Sequence, residues 1–214
     1  MAVTGWNPVI AERVGSCTLS DACDELGVPA VRTGVLRPSW SGCPTVAGPV
    51  ATLTLRPAAT PDADPLPAIL HALAEMSGFV VLVDLGGRQN VQCWGGVLAV
   101  VAQRFGVRGA LVDGAVRDVN LLEEIGFPAF ARAVHPARIR GRLELTAVDD
   151  DVAIDTEIVH AGDIVVVDAD GALFLPYDSV ADAMELARVR GNDEQELLAR
   201  LRAGADPRHV FDVV

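Results

Sequence analysis

The stretch that decides the fold runs from residue 84 to residue 128 and reads DLGGRQNVQCWGGVLAVVAQRFGVRGALVDGAVRDVNLLEEIGFP. The apolar run FVVLVD leads into it and predicts a buried strand that ends at Asp84. Downstream, GALVDG and FPAFARAV are predicted strands, VLAVVAQRFG a helix ending at Gly106 and VNLLEEIG a short helix. Between Asp84 and this first helix the four glycines predict a loop. Strands and helices that alternate in this way indicate a parallel α/β unit.

Upstream of this stretch, patterns and turn residues predict three further elements. CTLSDACDELG is predicted to be a helix capped at Thr18 or Ser20 and ended by Gly27. VATLTLRP alternates apolar and polar residues, as a half-buried strand does, and PAILHALAEMSG predicts a helix that ends on Gly78.

Downstream, the chain has a β-rich texture followed by a long amphipathic helix. IVVVD and ALFLP predict a hairpin across residues 169–171. A helix is predicted from Asp178 onward, with Gly191 as a possible break. No repeat or linker is visible, so residues 1–214 are expected to form one domain.

Composition narrows the class of protein. Half of the residues are apolar and the net charge is −12, which indicates a globular chain with an acidic surface. Such a surface disfavours nucleic-acid binding, although a local arginine can still recruit a small anion. The four cysteines lack metal-ligand spacing and are expected to be free thiols in a reducing cytoplasm. Neither a signal peptide nor a membrane span is expected.

Two motifs are candidates for chemistry. Gly95 and Gly96 directly precede a helix, so its first amides form a potential anion site, with a plain loop-to-helix turn as the alternative. Asp113-Gly-Ala-Val-Arg117-Asp118 follows an apolar strand, where α/β sheets bind ligands. Arg117 could clamp a carboxylate and Asp118 could ligate a divalent ion. Alternatively, Asp118 only caps the next helix and Arg117 pairs with a surface acid.

Other polar residues receive no role. The acidic run of residues 149–151 lacks calcium-loop spacing and is expected to be a solvated turn. The four histidines are scattered, and Cys93 near the glycines is expected to be buried and inert.

The segment GALVDGAVRDVNLLEEIGFPAFAR closely resembles the central signature of the RraA-like family, which also contains the 4-hydroxy-4-methyl-2-oxoglutarate aldolases. LSDACDELG, AGPVATL, SGFVVLVDLGG and HAGDIVVVDADGALFLP are similar to further family motifs, so the resemblance covers roughly residues 16 to 204. It implies a single-domain β/β/α sandwich of the swivelling-domain type with a C-terminal helix, assembled as a homotrimer or dimer of trimers with sites between subunits.

In the aldolase branch of that family, the resemblance implies that pyruvate binds between the glycine-loop amides, here Gly95, Gly96, Val97 and Leu98, and Arg117. Asp118 would hold Mg²⁺ or Mn²⁺. The expected reaction is retro-aldol cleavage of a 4-hydroxy-2-oxo acid, oxaloacetate decarboxylation, or both, through a pyruvate enolate.

Two other functions remain open: a divergent enzyme for another carboxylated substrate, and a non-catalytic ribonuclease-regulator-like binding protein. The regulator branch usually lacks an aspartate after the arginine, so the resemblance favours the enzymatic branch.

The chain departs from the aldolase pattern at one position. The aldolases carry an acid about twenty-one residues before the arginine, where this chain has Gly96. The absence of this acid is expected to weaken metal binding, alter the reaction or widen the pocket. Asp84 is a possible partial substitute, and Glu194 or Glu196 of a neighbouring subunit is another candidate acid.

Overall fold

The structure is a computed structural model and describes residues 6–209. The described chain contains five α-helices, a short 3-10 turn at Tyr177–Ser179 and eleven strands. The helices are α1 Pro8–Leu26, α2 Leu66–Leu73, α3 Gly96–Arg104, α4 Val119–Glu124 and α5 Val180–Arg202. The strands are β1 Val31–Thr33, β2 Arg37–Pro38, β3 Val46–Pro57, β4 Val80–Trp94, β5 Gly109–Val116, β6 Ala129–Val134, β7 Leu143–Val148, β8 Val152–Ile154, β9 Glu157–Val159, β10 Ile164–Val167 and β11 Ala172–Leu175.

The centre of the fold is the predicted parallel unit. β3, β4, β5 and β6 lie side by side and all pair in parallel. The complete strand order is β1-β11-β10-β3-β4-β5-β6-β2, with β7 also pairing to β3 and with β8 and β9 forming a separate pair. The parallel strands are buried on both faces, which explains why FVVLVD and GALVDG are continuous apolar runs.

One face of the parallel sheet packs against helices. Val81 and Val83 of β4 point to this side and join a core cluster with Ile69 of α2 and Ala99 of α3. Side chains two residues apart share a face in a strand, so the neighbours of these valines point away from the helices.

The opposite face packs against a second layer of strands. Val80 and Leu82 of β4 belong to a cluster with Val165 of β10 and Phe174 of β11. The long strand β3 connects the two sheets, because residues 46–49 pair with β10 and residues 50–54 pair with β4. The result is the β/β/α arrangement that the resemblance implied.

A pair of helices covers the outer side of the antiparallel strands. Leu19 and Ala22 of α1 and Ala183 of α5 pack with Leu173 of β11 in a third buried cluster. Between residues 6 and 209, no helix has the length and apolar character to cross a bilayer.

The N-terminal helix begins earlier than predicted. Asn7 caps α1, and Gly15, at φ 81°, kinks it. The part after the kink begins at Ser16, whose amide and hydroxyl both donate to the carboxylate of Asp168, at 2.7 and 2.8 Å. The predicted caps Thr18 and Ser20 are therefore wrong, because a carboxylate distant in sequence caps this segment. The predicted end at Gly27 is confirmed by its left-handed conformation.

Three further boundaries differ from the predictions. α5 continues through Gly191 without a break, and Gly191 lies against Thr18 of α1, where a small residue allows close helix packing. α2 ends at Leu73, short of Gly78. β4 extends to Trp94, so most of the predicted glycine loop is an irregular strand.

Candidate active site

The first part of the candidate site is the junction of β4 and α3. Gly95 occupies the N-cap position in an extended conformation and offers no side-chain cap, so the first amides of α3 have no intrahelical partner. A Cβ on Gly95 would lie 2.9 Å from Oδ2 of Asp118 and 3.0 Å from Cγ of Arg117. Glycine at this position therefore permits the close approach of the two motifs.

Asp118 is the second part, and its side chain does not cap its own helix. It stands at the N-cap position of α4 in the left-handed region, at φ 58°, but makes no capping hydrogen bond. Its Oδ2 instead accepts a hydrogen bond of 3.1 Å from the amide of Gly96 in α3. The alternative that Asp118 only caps α4 does not describe this geometry. Aspartate tolerates the left-handed region better than most residues, although the conformation still carries strain.

Arg117 completes the cluster. Its backbone amide donates to the carbonyl of Trp94, and its Nε lies 3.4 Å from Oδ2 of Asp118. Within residues 6–209 this Nε is shielded from solvent without a hydrogen-bond partner, and Asp118 is the acid with which the guanidinium pairs. The side chains of Arg117 and Asp118 are 37% and 43% exposed, so a ligand can reach both.

The sheet register extends this row to a residue that received no role from the sequence. Trp94, Val116 and Val134 pair across β4, β5 and β6. The amide of His135 donates to the carbonyl of Val116 at 2.9 Å, so His135 follows β6 beside Arg117. Its half-buried ring accepts a hydrogen bond from the amide of Ala137 at Nδ1 and leaves Nε2 available. Its position directly after a strand run is the sequence signal for this placement.

The space beside Gly96 is filled. A Cβ on Gly96 would lie 2.3 Å from Cδ2 of Leu121 in α4 and 3.5 Å from Cβ of Asp118. The expectation that Gly96 widens the pocket is therefore wrong, because Leu121 occupies the volume that a side chain at residue 96 would take.

The two aspartates at the strand ends serve the fold. Asp84 is buried, accepts from the amide of Gly86 at 2.6 Å and pairs with Arg56 at 2.6 Å. Since both of its carboxylate oxygens are engaged in this way, Asp84 does not substitute for the missing loop acid.

The buried carboxylate of Asp113 likewise accepts from the amide of Gly87 at 2.7 Å and pairs with Arg132. Burial works to lower the pKa of Arg132, but hydrogen bonds to Asp155 and Asp113 outweigh burial and raise it. Asp113 therefore holds the turn that leads into the last part of β4, and its carboxylate has no free oxygen to offer a ligand.

The remaining predicted site residues are dispersed. The backbone amides of Val97 and Leu98 lie in the first turn of α3; the side chain of Val97 is 74% exposed, whereas that of Leu98 is buried. Glu194 and Glu196 are exposed on α5, and Glu194 lines a groove against α1. Among residues 6–209, no three His, Cys, Asp or Glu side chains are grouped so as to hold a metal ion, so Asp118 stands as a single carboxylate.

A three-layer β/β/α fold and an arginine–aspartate pair beside an open helix N-terminus define the class of this protein. The chain belongs to the RraA-like family, since the family model described as Aldolase/RraA matches residues 16–174.

Relatives and solved structures agree with this membership. An uncharacterised protein of Methanocaldococcus jannaschii is 32% identical over 63% of this chain and 65% of its own length. A Burkholderia mallei protein with the provisional name 4-hydroxy-4-methyl-2-oxoglutarate aldolase is 34% identical over 72% of this chain and 92% of its own. The crystal structure of Streptomyces coelicolor RraAS2, an unusual member of the RNase ES inhibitor RraA family, superposes with a TM-score of 0.73. It is 29% identical and covers 91% of this chain and 96% of its own.

The match extends over only part of the first relatives: it spans 65% of the M. jannaschii protein and 32% of Legionella pneumophila DlpA.

Proposed function

We propose that the chain is a divalent-metal-dependent carbon–carbon lyase acting on a pyruvate-derived 2-oxo acid. The reaction is retro-aldol cleavage of a 4-hydroxy-2-oxo acid, decarboxylation of oxaloacetate, or both. The observation that carries the proposal is the side chain of Asp118, which turns from its own helix to the Gly96 amide beside Arg117. A carboxylate that only terminated α4 would bond the amides of α4 instead.

The residues fit a divalent cation with a single carboxylate ligand. Mg²⁺ keeps several waters in proteins and takes one or two carboxylates, which matches the half-exposed Asp118. Only Oδ2 of Asp118 accepts a hydrogen bond from residues 6–209, which leaves Oδ1 for a cation. When bound, Mg²⁺ or Mn²⁺ acts as a Lewis acid toward the keto group of the substrate.

The chain's own groups bind the substrate and stabilise the charge that develops. Arg117 presents a planar fork that suits a carboxylate, and the free amides of Val97 and Leu98 add the positive end of α3. When the carbon–carbon bond breaks, its electron pair moves onto the keto oxygen and produces the enolate of pyruvate. The fixed positive charge of Arg117 and the helix amides stabilise this anion more than the neutral keto group.

Release of pyruvate tests the proposal. Oxaloacetate and 4-hydroxy-2-oxo acids are supplied with Mg²⁺ or Mn²⁺, and pyruvate is measured with and without chelator. We expect metal-dependent release, and a loss of about 100-fold or more in kcat/KM for Asp118→Asn and Arg117→Ala. Asp149→Asn is the matched control, since Asp149 also has a left-handed backbone, at φ 56°. Absence of metal-dependent pyruvate release from every substrate contradicts the proposal.

We also propose that the active assembly is a ring-shaped homotrimer, or a dimer of such trimers, with each site between two copies. Val97 supports this arrangement, because a largely exposed apolar side chain stands at the start of α3 beside the site. Exposed apolar surface next to a polar site is typical of a contact between chains.

A non-catalytic binding role is the second candidate. The likeness to RraAS2, which is described as belonging to a ribonuclease-inhibitor family, favours it. A pull-down that recovers a stable macromolecular partner, while Arg117→Ala has no phenotype, would support this role over the lyase. The contact of Leu121 with Gly96 supports the other alternative, a divergent enzyme for another carboxylated substrate.

A further inference from the structure

The seam between α3 and α4 borders the candidate site and has its own chemistry. Gly96, Val100 and Gln103 lie on one face of α3, since residues three and four apart share a helix face. Gln103 donates to the carbonyl of Ile125 at the end of α4, and Gly96 meets Leu121. This face of α3 therefore runs along α4, with Val100 between the two contacts.

The seam is apolar where it opens to solvent. Leu121 and Val100 are 37% and 39% exposed, so both helices present aliphatic carbon beside the arginine–aspartate pair. Leu121 is held in this place from both sides. Its amide donates to the carbonyl of Asp118 at 2.9 Å, and its side chain fits over the bare Cα of Gly96.

No cation is available along the seam for a second anionic group. α4 contains no basic residue and carries two exposed acids, Glu123 and Glu124. The single basic residue of α3 is Arg104, about 12 Å from Gly96 along the helix axis at 1.5 Å per residue. Arg117 is committed to the first carboxylate of the substrate.

We infer that Leu121 is a specificity-determining residue that selects 2-oxo acids with an apolar group beyond the keto carbon over those with a second carboxylate. The inference rests on the proposed function, because it assumes that Arg117 and the α3 amides take the first carboxylate. The rest of the substrate must then leave the cluster past the rim that Leu121 and Val100 form. A carboxylate placed there loses water without gaining a partner, whereas an alkyl group gains contact with Leu121.

Two isosteric pairs of compounds test the inference. The binding pair is 4-methyl-2-oxopentanoate and 2-oxoglutarate, in which an isopropyl group replaces a carboxylate and neither compound carries the hydroxyl needed for cleavage. The reactive pair is 4-hydroxy-5-methyl-2-oxohexanoate and 4-hydroxy-2-oxoglutarate, which give pyruvate with isobutyraldehyde or with glyoxylate. Dissociation constants are measured by calorimetry with Mn²⁺, and kcat/KM by pyruvate release.

We expect the wild-type protein to favour the isopropyl compound of each pair at least tenfold. Leu121→Ala reduces that preference to about one-tenth of its wild-type value, and Leu121→Lys reverses it by supplying a cation. Leu26→Ala is the matched control, because Leu26 is a comparably exposed leucine at the end of α1.

The results separate this inference from the proposed function. If neither reactive compound is cleaved, the lyase proposal fails, while the binding pair still decides the role of Leu121. The inference is overturned if the wild type prefers the dicarboxylates or binds neither keto acid. It is also overturned if Leu121→Ala leaves both ratios unchanged, including the case in which light scattering shows only an altered assembly.

Discussion

At the residue scale, the arrangement of Gly96 and Leu121 is the feature that separates this chain from the aldolase pattern it resembles. A side chain on Gly96 would lie within reach of Asp118, so an acid there could share a cation with it. Leu121 takes that space, and the cation site is left with one carboxylate. A change at residue 96 therefore requires a compensating change at residue 121.

We predict that Gly96→Asp alone destabilises the fold by about 1–3 kcal/mol, because the new side chain collides with Leu121. Adding Leu121→Ala should recover most of that loss and raise the affinity for Mn²⁺ by about 10–100-fold. Urea unfolding and Mn²⁺ titration measure the two effects, with Leu121→Ala alone as the control. Wild-type stability of the single Gly96→Asp variant would show that Leu121 does not fill the space.

The cysteines provide a second prediction at this scale. Burial raises the pKa of Cys93 strongly and that of Cys43 to about 11, and Cys23 is also buried. Cys17 is exposed, and slight burial together with a contact to Asp170 raises its pKa. We expect a thiol reagent at pH 8 to label only Cys17 in the native protein, and slowly, because the thiolate is the reactive form. All four should react in denaturant; fast native labelling of Cys93 would contradict its placement.

At the element scale, ion pairs fix the course of β4. Asp84 and Asp113 stand opposite each other in β4 and β5, and each accepts from one amide of the Gly86–Gly87 turn. Both glycines have positive φ, which side chains rarely adopt, so the turn depends on them and on these carboxylates. β4 can therefore continue to Trp94 and deliver Gly95 to the site.

We predict that Asp113→Ala lowers the free energy of unfolding by about 3–5 kcal/mol, because it leaves the largely buried Arg132 without its main partner. Side-chain exposures of 2% for Asp113 and 15% for Arg132 justify the high value. Arg140→Ala, which removes a surface pair with Asp64, is the control and should cost less than about 1 kcal/mol. Similar losses for the two variants in urea unfolding would contradict the structural role of Asp113.

At the scale of the whole molecule, the position of the candidate site is the main feature. The site lies at the carboxyl ends of β4, β5 and β6, beside the exposed Val97, whereas Glu194 and Glu196 are on the far helix α5. An acid of α5 can therefore join the site only from a neighbouring copy, and we treat that contribution as part of the proposed trimer.

We predict a mass near three times 22.5 kDa, or a multiple of it, by light scattering. Asp118→Asn and the double variant Glu194→Gln/Glu196→Gln should each be inactive alone. Refolding them together should restore about one quarter of the sites, because a wild-type Asp118 then meets a wild-type α5 by random mixing. Glu185→Gln is the control on the same helix. A monomeric mass, or no restoration on mixing, would contradict the shared site.

The sequence by itself determined the parallel α/β unit and the position of the arginine–aspartate pair. Continuous apolar runs such as FVVLVD can be satisfied only by burial on both faces, and glycines such as Gly27 end helices through local backbone geometry. Arg117 and Asp118 are covalent neighbours at a strand end, so their proximity follows from the chain itself.

Only the tertiary structure decided where α1 divides, how far β4 extends and what fills the space beside Gly96. The cap on Ser16 comes from Asp168, 152 residues away in sequence, and the space at Gly96 is taken by Leu121 of another helix. Local pattern reports the preferences of neighbouring residues, whereas these features depend on side chains that meet only after the layers have packed.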